Sequence, residues 1–329
     1  MDSAWNTLRF LETEPSARNY LTECYRNQGL AHPERLAFQQ SSRFLYIWKQ
    51  ARSFYQAAAE ADLIIRPLLL FYGCTHLLKG LLLTIQPAYP QNSRALQHGV
   101  TTRKLKRNPY HLLEDEVRPQ KEGFFAELAK VLAPAILPER YSVKELFGSL
   151  AALSDVFIAI TGERCWHAVQ TNARADGSVL FSFPSQTDGA LGFSAETFRH
   201  FLQRFAPAAL TLPSVEFEPI STEKRFLLTR DQLALFGTHP FVQRVQNQWF
   251  FWNRSTDTPP PPDWVTHYLL LYLLSMLCRY ETEWWGELVW SHSYAETILL
   301  ERFLTYHERT FPTVIMEQMQ KNNTLSRFG

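Results

Sequence analysis

The chain is poor in residues that staple a fold. Four cysteines, Cys24, Cys74, Cys165 and Cys278, are spread over 329 residues, and none belongs to a CxxC or CxxH pair. A structural zinc site needs clustered ligands, so this spacing speaks against a metal and for reduced thiols in a cytoplasmic protein. No cofactor motif stands out either. Glycine is scarce, at 13 residues. Neither GxxxxGK[ST] nor GxGxxG occurs, which removes the glycine-rich phosphate loops. The absence of GxSxG leaves nothing to suggest a nucleophile elbow. Charge of one sign is missing as well. With 33 Lys and Arg against 32 Asp and Glu, the net charge is +1. A global pull towards nucleic acid or a membrane is therefore absent, no DNA-specific motif is visible, and any such attraction must come from a local patch.

Uninterrupted apolar runs are missing too. Residues 63–85 come nearest, but Arg66, His76 and Lys79 break them; residues 264–278 are short and contain His267. A membrane span needs roughly 20 mostly uncharged residues, so both runs read as buried helices of a soluble core. The start, "MDSAWNTLRFLETEPS", has no basic stretch followed by an apolar one, and no signal peptide is expected. What the chain does have is aromatic bulk. Twenty-four Phe and nine Trp, with 46% hydrophobic and 20% charged residues, suffice for a large core.

Periodicity predicts helices over 1–30, 34–60 and 62–85, the last capped by Asp62 with Pro67 in its first turns. Residues 86–122, rich in Pro, Gly and charge, read as a loop with one short helix. Helical patterns return at 124–134 and 143–153. From about 155 to 254 the signal turns to β in "VFIAIT", "CWHAVQTNA", "SVLFSFP", "VEFEPI", "RFLLTR" and "QWFFWNR". "RADGS" is a hairpin turn, and "SAETFRHFLQRF" is a helix capped by Ser194. After the stiff connector "TDTPPPPDW" come helices over 263–284 and 292–320, the second kinked or divided by Pro312. The expected fold is therefore α+β: a helical bundle from both chain ends (1–154 and 259–329) with an inserted, mostly antiparallel β-rich module (155–258).

An ordered set of segments resembles the YaaC-like proteins of bacteria: "ARSFYQAAAEADLIIRPLLLFYGCTHLLKGLLL", then "HGVTTRK", then "EGFF", with "LTECY" near residue 21 and "FP" at 311–312. This resemblance implies a cytoplasmic bacterial protein without an established activity, and it brings no catalytic residues. The early helix pair is also similar to the first helices of HEPN-type bundles. Some of those are metal-independent ribonucleases that work as dimers with an Arg and a His near the last helix. Here the corresponding pair is Arg302 and His307, and a homodimer would be the implied assembly.

Three groups of residues carry candidate chemistry. Arg302 and His307 could supply the fixed cation and proton shuttle of RNA cleavage. Five residues of ideal helix turn about 500°, however, so the side chains point about 140° apart and need a bend or a dimer to meet. Glu301, Arg302, Glu308 and Arg309 also read as a solvated helix face. The second group is the run "SRALQHGVTTRKLKRNPYH", where Arg94, His98, Gly99, Thr101, Arg103, Lys104 and Arg107 form an anion cradle with no acid among them. Its bland counterpart is a solvated loop balanced by Glu114, Asp115 and Glu116. The third group, Arg66, His76 and Lys79, lies in the apolar helix. It lines a ligand pocket or, more plainly, forms an internal ion pair with a carboxylate such as Glu281 or Glu283. Trp284, Trp285, Trp290 and Tyr294 could stack a base, but such density more often fills a core or a contact.

These features favour a non-catalytic binding or regulatory protein for an anionic ligand, a nucleotide or RNA. The alternatives are a HEPN-like metal-independent endoribonuclease using Arg302 and His307, and a protein–protein scaffold. Whether the chain is an enzyme stays open.

Overall fold

The computed structural model describes residues 2–103, 111–133, 136–213, 224–291 and 294–321. The fold is α+β, with helices accompanied by two antiparallel sheets. Two compact units are present, Met1–Leu146 with Pro262–Gly329, and Phe147–Pro261.

The first unit begins with α1 (Asp2–Arg9), α2 (Glu14–Asn27), α3 (Pro33–Ala59) and α4 (Arg66–Ile85). Helix α4 is apolar nearly all round. Leu70, Phe71, Cys74, Leu77, Leu78 and Leu81–Leu83 are buried, so it takes the middle of the bundle. It is long and apolar enough to cross a membrane, yet 67% of its most apolar window is buried inside the protein. Asp62 does not cap it. The preceding turn is closed by the Asp62 backbone carbonyl, which accepts from Ile65 and Arg66, and the helix starts at Arg66 with Pro67 in its first turn.

Within residues 86–103 and 111–122 the chain forms strands where its composition reads as a loop. These are β1 (Val100–Arg103) and β2 (Glu116–Pro119), which join β3 (Tyr141–Ser142) in a three-stranded antiparallel sheet, order β1-β2-β3. The strands are too short for periodicity to reveal. Helices α5 (Phe124–Leu132) and α6 (Val143–Gly148) follow.

The second unit starts with a correction. "VFIAIT" lies in a helix, α7 (Ser154–Thr161), although its β-branched residues favour a strand. Asp155 in the first turn complements the helix dipole, and Gly162, at φ +71°, donates back to Ile158 and closes the helix. The chain then builds β4 (Trp166–Ala173), β5 (Val179–Phe183), α8 (Ala195–Phe205), β6 (Lys224–Leu228), α9 (Arg230–Phe236), β7 (Val242–Val245) and β8 (Gln248–Trp252). The antiparallel sheet has the order β6-β5-β4-β8-β7. Phe181, Phe183, Phe226 and Phe251 share a buried face with Phe198 and Phe201 of α8 and Phe236 of α9. Ser194 caps α8 as expected. Helix α9, announced by its Thr229–Gln232 capping box, and β7 escaped the periodicity reading. "VEFEPI" lies outside the described residues.

Helices α10 (Asp263–Tyr280), α11 (Thr282–Trp290) and α12 (Glu296–Lys321) complete the first unit. The expected 263–284 helix is two helices, broken at Glu281, whose ψ of 53° is not helical. Pro312 does not divide α12. Phe311, Ile315 and Met319 are buried on either side of it, and this packing outweighs the lost hydrogen bond.

Candidate anion-binding site

Two helix faces meet a loop in the first unit. On α4, Tyr72, His76 and Lys79 stand four and three residues apart, so they share one side of the helix. On α10, Tyr272 and Arg279 are two turns apart on another shared side. Between them comes His98, carried by the segment after α4. Its ring packs against Phe71 at 5.0 Å and Tyr272 at 5.7 Å between centroids.

The backbone of that segment is anchored at several points. Phe124 and Phe125 at the start of α5 donate to the carbonyls of Gln97 and His98, which satisfies helix N–H groups that would otherwise lack acceptors. The Tyr268 hydroxyl donates to the His98 carbonyl at 3.1 Å. Gly99, at φ +73°, crosses Gly123 so closely that a Cβ on Gly123 would lie 2.6 Å from the Gly99 Cα. Gly99 thus serves backbone packing and not the approach of a ligand.

Lys79 joins the same surroundings, its Nζ 5.8 Å from the Phe124 ring centroid. No carboxylate pairs with it among the described residues, so the expected ion pair with Glu281 or Glu283 is not formed. Arg279 donates Nε to the Ser275 carbonyl and lies over Tyr280. Arg43 of α3 donates to the Tyr89 carbonyl. The His76 Nδ1–H donates to the Tyr72 carbonyl at 2.7 Å, leaving Nε2 for another partner. All five side chains are half-buried.

Burial, with smaller contributions from neighbouring cations, opposes protonation of His76, Lys79 and His98. Burial, then Arg279 and Lys79, hold the His98 imidazole down to about 4. Burial and the nearby Lys79 lower His76, and burial and Arg43 lower Lys79. Arg43, Lys79 and Arg279 are thus half-buried cations with which no carboxylate forms a salt bridge among the described residues. Arg279 was not foreseen. It lies far from the other basic residues in sequence, and only the packing of α10 on α4 brings it to them.

The other candidates go elsewhere. Arg94 pairs with Glu122 at 3.3 Å, both exposed. Thr101 and Arg103 are exposed on β1, where Arg103 stands opposite Glu116 of β2. The Glu116 carboxylate itself forms a 2.6 Å salt bridge with Arg118. Lys104 and Arg107 lie outside the described residues. Arg66 forms a salt bridge with Glu308 of α12, which is only 3% exposed.

Arg302 and His307 do not converge. Arg302 is exposed, whereas His307 is fully buried. His307 shares a 2.7 Å hydrogen bond with the Tyr55 hydroxyl through Nε2 and a 3.0 Å one with His267 Nδ1 through Nδ1. Both ring nitrogens are engaged inside the core, so neither Arg302 nor a second copy of the chain reaches them. Trp285 is buried, while Trp290 and Tyr280 are exposed. Among the described residues no three His, Cys, Asp or Glu side chains gather as a metal site requires.

The chain belongs to the YaaC-like protein family, whose model matches residues 9–319. No curated protein and no solved structure matches it. Family membership therefore assigns no activity and no site residue, and the similarity to HEPN-type bundles gains no support from it.

Proposed function

We propose that this YaaC-like protein binds a phosphate-bearing small molecule of the nucleotide type in the basin of Lys79, His98 and Arg279. It acts as a binding or regulatory protein in the cytoplasm, where its four free thiols stay reduced. One observation carries the reading: Arg43, His76, Lys79, His98 and Arg279 are half-buried together, and no carboxylate pairs with any of them among the described residues. Lys79 offers a point charge and Arg279 a planar fork, the two means by which proteins hold phosphate. The stacked pair Phe54–Tyr72, with ring centroids 5.6 Å apart, and the exposed ring of Tyr280 offer flat faces for a base. A small ligand is favoured over a long RNA because Arg94, next along the chain, is already paired with Glu122.

Isothermal titration of the full chain with ATP, AMP and tripolyphosphate tests this. Lys79→Met and Arg279→Met should each weaken ATP binding about tenfold or more, the worth of one charge-assisted hydrogen bond, and flatten its salt dependence. Acidification from neutrality should tighten binding, because a bound phosphate favours the protonated form of His98 that burial, then Arg279 and Lys79, otherwise oppose. Unchanged affinity in both variants, with circular dichroism intact, overturns the assignment. Tighter binding of single-stranded RNA than of ATP would replace the nucleotide by RNA. RNA cleavage in EDTA that is lost in both Arg302→Ala and His307→Ala would restore the ribonuclease reading.

A further inference from the structure

The chain is close to neutral, yet parts of it are sorted by charge. From Arg35 to Ala59, nearly all of α3, the cations are Arg35, Arg43, Lys49 and Arg52, and no Asp or Glu occurs. From Glu281 to Glu301, which takes in α11 and the start of α12, the acids are Glu281, Glu283, Glu287, Glu296 and Glu301, and no Lys or Arg occurs.

Each block leaves charge unanswered beside exposed rings. In α3, Arg52 is held by Glu12 and Arg43 by the Tyr89 carbonyl. Arg35 and Lys49 are exposed, and no carboxylate pairs with either among the described residues. Glu34 is taken by Arg26, and Glu14 of α2 by Arg18, whose guanidinium lies over the Phe38 ring. Arg35, Phe38, Ser42, Tyr46 and Lys49 follow one another at three or four residues, so they stand on one side of α3. Phe38 and Tyr46 are 62% and 60% exposed. In α11, Glu283, Glu287 and Trp290 are spaced in the same way, with Trp285, Leu288 and Val289 buried on the other side. Trp290 is 66% exposed, and no cation pairs with Glu283 or Glu287 among the described residues. The Thr297 hydroxyl donates to the Leu288 carbonyl at 2.6 Å, which holds the first turn of α12, with its exposed Ile298, beside α11.

The fold keeps the two faces apart. Gly73 and Gly80 of α4 lie against Tyr55 and Trp48 of α3, whereas Phe71 lies against Tyr268 and Tyr272 of α10, the helix that leads into α11. At about 100° per residue, Phe71 points about 160° away from Gly73 and about 180° from Gly80, so α3 and α10 occupy opposite sides of α4.

Exposed aromatic rings bordered by unpaired charge have the composition of a protein interface, and these two faces are opposite in sign. We propose that they fit each other: the α3 stripe of one copy of the chain docks on the α11 face of a second copy. Phe38 and Tyr46 pack against Trp290 and Ile298, and Arg35 and Lys49 meet Glu283 and Glu287 at the rim. The two patches differ, so the contact is head-to-tail, and each copy keeps one face free for the next. None of these side chains belongs to the basin around Lys79.

Sedimentation velocity of the full chain between about 1 and 100 μM covers the range of a small reversible contact. Association should rise with concentration and fall when salt is raised to about 0.5 M, where surface charges are screened. Arg35→Glu with Lys49→Glu should abolish it, and so should Glu283→Lys with Glu287→Lys, because each variant presents two faces of one sign. An equimolar mixture of the two variants should associate again, since every contact between them joins opposite signs. Tyr46→Ala and Trp290→Ala should each weaken association about tenfold or more. All these positions are exposed, so each variant should keep the circular dichroism of the natural chain. A natural chain that stays monomeric at about 100 μM in low salt overturns the proposal. So does association unchanged by either charge reversal, or a mixture that stays monomeric. Retention of single-stranded RNA or of phosphatidylserine vesicles by a monomeric chain, lost on Arg35→Glu with Lys49→Glu, would give the α3 stripe to that anion and overturns it as well.

Discussion

Replacing His267 by leucine should change how the first unit responds to acid. In the folded chain His267 is fully enclosed, and burial holds its imidazole down to about 3. Unfolded, the same group titrates near 6.5. Between those values the unfolded chain carries a proton that the folded chain refuses, so stability rises with pH through this window and is lost as pH falls below about 6.5. The slope is about 1.4 kcal/mol per pH unit for one such histidine, which amounts to about 2 kcal/mol at pH 5. His307 acts in the same direction, lowered by burial first and by the adjacent His267 second. His239, in the other unit, is held to about 4 by burial. His267→Leu breaks the hydrogen bond to His307 and should lower stability at pH 7 by about 1–3 kcal/mol. The diagnostic result is separate from that offset. Between pH 7 and 5, where ordinary carboxylates remain ionised, the variant should lose about 2 kcal/mol less than the natural chain. Urea unfolding followed by helical circular dichroism at pH 7, 6 and 5 measures both quantities. Identical pH dependence in the two proteins would refute the reasoning, because it would mean that His267 takes up its proton in the folded core.

Other perturbations have equally definite outcomes. Arg66→Met leaves the Glu308 carboxylate buried without its partner and should lower stability by about 3–5 kcal/mol, while adding Glu308→Leu should recover most of it; urea unfolding in which the single variant matches the natural chain would contradict this. Gly123→Ala forces a Cβ against Gly99 at a φ of +105° and should cost about 1–3 kcal/mol. It should also weaken ATP binding by displacing His98, and retention of both properties would show that the glycine crossing does not hold the loop. Arg302→Ala, at an exposed position, should alter stability by no more than about 0.5 kcal/mol, and a larger loss in thermal melts would reveal a partner for the guanidinium.

Much of the fold was legible because its strongest signals are local. An all-round apolar pattern marked α4 as a central helix, Ser194 marked the start of α8, and Asp-Gly marked the hairpin between β4 and β5. The misreadings occurred where two local signals competed. "VFIAIT" has strand-forming side chains, but Ser154 and Asp155 before it and Gly162 after it are helix boundaries, and the boundaries prevailed. The β1–β2 pair was hidden by strands of four residues, too few for alternation to stand out from a loop.

The site was legible in its parts and not in its assembly. His76 and Lys79 were visible as polar residues that an apolar helix must explain, and His98 as a member of the basic run. Within 94–103, a turn brings Glu122 to Arg94, and Arg103 stands opposite Glu116, whose carboxylate pairs with Arg118. Around Lys79, α10 adds Arg279, and no carboxylate forms a salt bridge with either among the described residues. Linear charge patterning is a guide to a binding surface only where neighbours in sequence remain neighbours in space. In this chain Arg94 finds Glu122 across a turn, and the apolar helix α4 finds another cation, Arg279. The half-buried cations Lys79 and Arg279, which no carboxylate pairs with among the described residues, stand where the run in the sequence is least dense.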